Sequence, residues 1–178
     1  MRFGAIIVAG LAAVATAIPA AQVVVNINII TTKSRDLQTP AKALTVVDAA
    51  LFPIGQGNIP KIIAGFQDII TTVQEALGSM NPETYAGKDA DIIFDAFRTF
   101  VMVHQQLLNI LIGKAGIVQR VPIIGQPMAA ILRALEEIVD TFAYSLIDMM
   151  QDRVEDMQQQ ATDLGETIDN CIAAYSPF

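Results

Sequence analysis

The sequence predicts an all-α protein, an antiparallel bundle of about five amphipathic helices in a single domain. Three observations lead there. Apolar residues recur at steps of three and four in almost every segment, the spacing that lines one face of a helix. Gly and Pro cluster between those segments, where they end one helix and start the next. Only Val23 to Ile30 has the β-branched content of a strand, and nothing else in the chain offers such a strand a partner.

The elements follow in order. Met1 to Ala17 has a basic start at Arg2, a charge-free apolar run from Phe3 to Val14, and the small-x-small site Ala15-Thr16-Ala17, the pattern of a secretory signal peptide. Apolar residues continue to Val25, long enough for a membrane anchor. The Ala- and Gly-rich composition, Pro19 and the placement of the small residues favour cleavage instead, leaving Ile18 to Phe178 as the domain. Propensity reads Val23 to Ile30 as a strand. Consistency with the rest reads it as a helix, with Val23, Ile27, Ile30 and Leu37 on one face. Thr39-Pro40 is expected to cap and open a second helix through Leu44, Val47 and Leu51, and Phe52 to Asn58, with Pro53, Gly55 and Gly57, is a turn.

A third helix carries Ile62, Phe66, Ile69, Val73 and Leu77, opened by Pro60 and closed by Gly78. Gly78 to Gly87 reads as a connection. The next stripe is Ile93, Phe97, Phe100, His104, Leu107 and Leu111, with Asp89 and Asp91 at its start and an expected stop near Gly113. Gly113 to Gln126 is expected to be an irregular and unusually apolar connection, broken by Gly116, Pro122 and Gly125. From Pro127 to Tyr175 the stripe Met128, Leu132, Leu135, Val139, Phe142 and Leu146 continues, after a change of phase, into Val154, Met157, Leu164, Ile168, Cys171 and Tyr175. One unbroken helix would run about 70 Å, against a domain roughly 40 Å across. The polar stretch Asp148 to Arg153 is the expected corner.

Composition narrows the function. The chain is 53% apolar and only 16% charged, below the roughly 25% of an ordinary domain. Losing Arg2 with the leader leaves ten basic against eighteen acidic side chains, which makes nucleic acid and anionic headgroups poor partners. Cys171 is the only cysteine, so no intrachain disulfide forms, and its place on an apolar stripe suits a small buried hydrophobe. No Asn-x-Ser/Thr sequon occurs, and no transmembrane segment is expected after cleavage.

No catalytic constellation is visible. A Ser or Cys nucleophile requires a positioned base, yet His104 is the only histidine and Cys171 the only thiol, and a helical di-iron site would need paired Glu-x-x-His motifs, whereas Val101 stands three before His104. No Gly-x-Ser-x-Gly elbow and no phosphate loop is present, no metal or cofactor is implied, and Glu136-Glu137 and Glu155-Asp156 read as solvated surface. The chain is therefore expected not to be an enzyme. His104 has two readings: a satisfied core histidine, or an imidazolium that meets the carboxylate of a bound fatty acid. Phe66, Ile69, Val73, Phe97, Phe100, His104, Leu107, Leu135, Phe142 and Met149 are the candidates for the wall of an apolar cavity, and equally for a solid core.

The order Val24 to Ile30, then Asp36-Leu37-Gln38, then Ala43 to Ala50 before a Gly-rich turn, resembles the start of the fungal hydrophobic surface-binding protein A family, which includes cell-wall galactomannoproteins. Leu111-Ile112-Gly113-Lys114 leading through Pro122, and the closing Ile172-Ala173-Ala174-Tyr175-Ser176, are similar to its later segments. The resemblance implies a secreted, non-catalytic helical bundle, free or cell-wall-associated, that holds a fatty acid or sterol in an apolar cavity or adsorbs to hydrophobic surfaces. The chain departs from the family in having more Ile, Met and Phe and less Ala and Ser. A secreted effector that binds a host protein through an exposed apolar patch is a third reading.

Overall fold

The computed structural model describes residues 18–80, 83–118 and 122–176; the expected leader, Met1 to Ala17, lies outside them. Among the described residues six α-helices, against the five or so expected, carry the fold: α1 (Ala20–Lys42), α2 (Val46–Leu51), α3 (Asn58–Ser79), α4 (Lys88–Val118), α5 (Pro122–Asp148) and α6 (Val154–Tyr175), with a 3-10 turn at Phe52–Ile54. Five are long. The sixth, α2, is a short cross-piece that the sequence merged with the end of α1.

Packing of the amphipathic faces explains each departure from expectation. Thr39-Pro40 does not open a helix; both residues lie in the last turns of α1. Pro40 removes one backbone bond there, but the turn keeps Leu37 and Ala41 on the buried stripe. The cap comes later, at Thr45. Helix α4 runs past Gly113 to Val118. Each helical Gly costs about 1 kcal/mol relative to Ala. The cost is offset because Leu111 and Ala115 are buried, Lys114 Nζ donates to Leu44 O (3.1 Å), and the Tyr175 hydroxyl donates to Leu111 O (2.8 Å). Likewise α5 begins at Pro122 and carries Pro127 inside it, because the added turn buries Ile124 against the core. Most of the expected apolar connection is thus the facing ends of two helices; residues 119–121 lie outside the described residues.

The corner after Asp148 falls where the sequence placed it. Without Gly or Pro, Arg153 itself takes the left-handed conformation (φ 69°) and bonds Asp91 and Asp156. The connection from α3 to α4 is pinned to this corner: Tyr85 N–H donates to Met149 O (2.7 Å), Gln151 N–H donates to Tyr85 O (2.9 Å), and the Tyr85 hydroxyl donates to Ile18 O (2.6 Å).

The five long helices form a closed ring in the order α1, α4, α6, α5, α3, each packed against two neighbours, while the consecutive helices α4 and α5 barely meet. Five axes spaced about 10 Å apart stand about 8.5 Å from their common centre, against about 7 Å for four. Longer side chains are needed to fill that centre. The chain supplies them as Phe66 on α3, Phe97 and Phe100 on α4, and Phe142 on α5, all fully buried.

Candidate functional site: a buried histidine in an aromatic centre

Ring contacts that join helices not adjacent in the ring cross its middle, and they locate the centre. Phe100 meets Phe142 edge-on (6.5 Å between centroids), and Phe66 meets His104 edge-on (6.4 Å). Phe100 also lies 5.3 Å from His104 and 6.1 Å from Phe97. Of the ten residues proposed for a cavity wall, these five therefore form one cluster. Ile69, Val73, Leu107 and Leu135 are buried in the same core, and Met149 is buried at the α5–α6 corner beneath Tyr85.

His104 stands on the α4 stripe one turn beyond Phe100 and has no solvent exposure. Its partner comes from α1: Ser34 Oγ lies 2.8 Å from Nδ1 and 3.1 Å from Ile30 O. A turn away, Gln38 Nε2 donates to Val103 O (3.3 Å). The other ring nitrogen, Nε2, is buried without a hydrogen-bond partner. Burial lowers the imidazole pKa to about 4, so His104 is neutral at physiological pH. Of the two sequence readings, the geometry without a guest is that of a buried core histidine, because the apolar centre disfavours the charged ring where no carboxylate stands beside it.

Ser34 was missed by sequence reasoning, although a signal was present. The α1 stripe runs Val23, Ile27, Ile30, then Leu37, and the position between them that belongs to the same face is Ser34. A polar residue on each of two apolar stripes was the sign that the two meet.

Open grooves flank the bundle. One, between α1 and α3, has a volume of about 720 Å³ and is lined by Gln22, Asn26, Ile29, Lys33, Thr72 and Glu75; Lys33 is paired there with Asp68. Another, between α5 and α6, has about 520 Å³ and includes Asp140, Glu166 and Asp169. Burial, a hydrogen bond that the protonated carboxyl gives to Asp169 and the charges of Asp169 and Asp140 push the carboxyl of nearby Glu136 up, and burial together with Asp169 does the same to Asp140. A groove so acidic repels carboxylate ligands.

Cys171 is buried and its thiol is pushed up to about 12 by burial, which leaves no thiolate for nucleophilic chemistry. Among the described residues no group of His, Cys, Asp and Glu is arranged to hold a metal ion, and no helix is long and apolar enough to cross a membrane.

Comparison with protein-family models and with curated proteins gives no match. Solved structures share the fold. Ligand binding domain 2 of the Penicillium marneffei MP1 protein, complexed with multiple arachidonic acids, superposes with a TM-score of 0.74 at 14% identity, covering 93% of this chain and 99% of that one. Ligand binding domain 1 of the same protein, complexed with arachidonic acids, gives 0.73 at 16% identity over 88% and 96%. Afmp4p in complex with palmitic acid gives 0.68 at 16% identity over 88% and 99%. The helical ring is therefore an architecture that this chain shares with fungal ligand-binding domains.

Proposed function

We propose that this chain is a non-catalytic carrier that holds a fatty acid or similar long-chain lipid among its helices. The observation that carries the reading is the near-complete superposition on three domains solved with arachidonic or palmitic acid. It is supported by a ring whose centre is filled by side chains rather than by helix backbone. Burying a sixteen-carbon chain offers about 12 kcal/mol at about 0.8 kcal/mol per CH₂, so even half of that gives binding in the range of tens of micromolar. The guest takes its room by rotation of Phe66, Phe97, Phe100, Phe142 and the neighbouring aliphatic residues, and the described grooves remain outside it. Action outside the cell, supported by the composition of Met1 to Ala17, and kinship with the hydrophobic surface-binding and galactomannoprotein family, supported by the sequence resemblance, belong to the same proposal.

Native mass spectrometry of the purified protein tests it. A retained or added palmitic acid, bound in defined stoichiometry, is the expected result; a protein that stays ligand-free under excess lipid ends the carrier reading. A second reading, adsorption to hydrophobic surfaces, draws on Val46, Val47 and Ile54, each more than half exposed around α2. A ligand-free protein that nevertheless coats hydrophobic beads favours that alternative.

A further inference from the structure

The unpartnered nitrogen of His104 makes a chemical selection, and the proton count at Ser34 decides which one. Ser34 has one hydroxyl proton and two contacts, Ile30 O at 3.1 Å and His104 Nδ1 at 2.8 Å. If Ser34 donates to the imidazole, the contact with Ile30 O is lost as a hydrogen bond. If it donates to Ile30 O instead, Nδ1 carries the imidazole proton and donates to Ser34 Oγ, so both contacts are used. The second arrangement makes two bonds where the first makes one, and it assigns the tautomer. Nε2 is then a bare lone pair, fully buried, on a ring that packs against those of Phe66 and Phe100.

A buried acceptor without a donor carries a penalty of about 1–3 kcal/mol. Water relieves such a penalty only where several polar groups surround it, and the ring contacts of His104 are with Phe66 and Phe100. A guest that brings a single O–H on an apolar body relieves it fully. A carboxylate brings two further acceptors and a charge, and an ester brings no proton. We propose that His104 Nε2 accepts a hydrogen bond from the terminal hydroxyl of an apolar guest, so that the site takes uncharged hydroxyl-bearing lipids, long-chain alcohols and fatty acids in their protonated form, in preference to esters and ionised carboxylates. The inference rests on the carrier reading and names the class of ligand within it. Ser34 acts as a positioning residue that holds the tautomer.

The test measures displacement of an uncharged polarity-sensitive dye from the full chain by hexadecanol and by methyl palmitate at pH 7.4. The expected result is that hexadecanol displaces the dye at concentrations about tenfold lower, the worth of one buried hydrogen bond of about 1.4 kcal/mol. His104→Phe is expected to remove that gap, the two lipids then displacing the dye at equal concentrations. Equal displacement from wild type by the two lipids, or a gap that survives in His104→Phe, overturns the inference and leaves the carrier reading standing; failure of wild type to bind any of the three overturns both. A measurement on wild type needs no variant: His104 is the only histidine, so ¹⁵N imidazole NMR reports on it alone. Hexadecanol is expected to shift the unprotonated nitrogen toward a hydrogen-bonded position with the ring still neutral. An imidazolium spectrum, or no change, overturns the proposal.

Discussion

At the scale of single residues, His104 couples folding to pH. Its folded pKa of about 4 lies below the ordinary value of 6.5, so on acidification the unfolded chain takes up a proton before the folded one does. The contribution to stability is complete above pH 6.5 and is lost as the pH falls from there through 4; the full span is about 3 kcal/mol at 1.36 kcal/mol per unit. Urea midpoints of wild type and His104→Phe at pH 7.5, 5.5 and 4.5 check this. The variant is expected to gain on wild type as the pH falls, and a difference that stays constant with pH contradicts a buried neutral imidazole. The apolar stripe announced that this residue faces inward. Its neutrality and its bond to Ser34 depend on a contact seventy residues away in sequence, which no local pattern encodes.

At the scale of elements, α2 shows how a short helix is held when its own burial is slight. Only Asp48 and Ala49 are buried in it, and six residues are too few to be stable alone. The Asp48 carboxylate ties it down, accepting from Thr45 N (2.8 Å), Thr45 Oγ1 (2.9 Å), Asn58 N (2.7 Å) and Asn58 Nδ2 (2.9 Å). Burial alone would raise its pKa, but these four bonds outweigh it and hold the carboxyl below its usual range. Gly57 completes the arrangement: at φ 89° a Cβ there would come within 2.9 Å of Asp48 Oδ1. Asp48→Ala is expected to cost about 2 kcal/mol in urea denaturation and to speed amide hydrogen exchange from Leu44 to Asn58. An unchanged exchange pattern there shows that the carboxylate does not anchor α2. The turn itself was legible from Pro53, Gly55 and Gly57, whereas the misplaced start at Thr39-Pro40 reflects a cap signal overridden by burial of Leu37 and Ala41.

At the scale of the whole molecule, the ring order separates neighbours in sequence and joins residues on opposite sides through the centre. Phe142→Ala empties part of that centre and is expected to cost about 3–5 kcal/mol, measured by urea denaturation. In a lipid carrier the same variant keeps or gains palmitic acid in native mass spectrometry, because the vacated space suits the acyl chain; loss of lipid together with stability contradicts a guest at the centre. The sequence by itself determined the helical class, the five long amphipathic elements, the corner after Asp148 and the inward-facing residues, because apolar periodicity is a local property and burial of a stripe is its direct consequence. Only the tertiary structure decided that the helices close as a five-membered ring, that Gly113, Gly116, Pro40 and Pro127 stay inside helices, and that Ser34 meets His104. Those outcomes are set by which faces pack together, a competition of several kcal/mol between distant segments that outweighs the smaller local preferences of Gly, Pro and the caps.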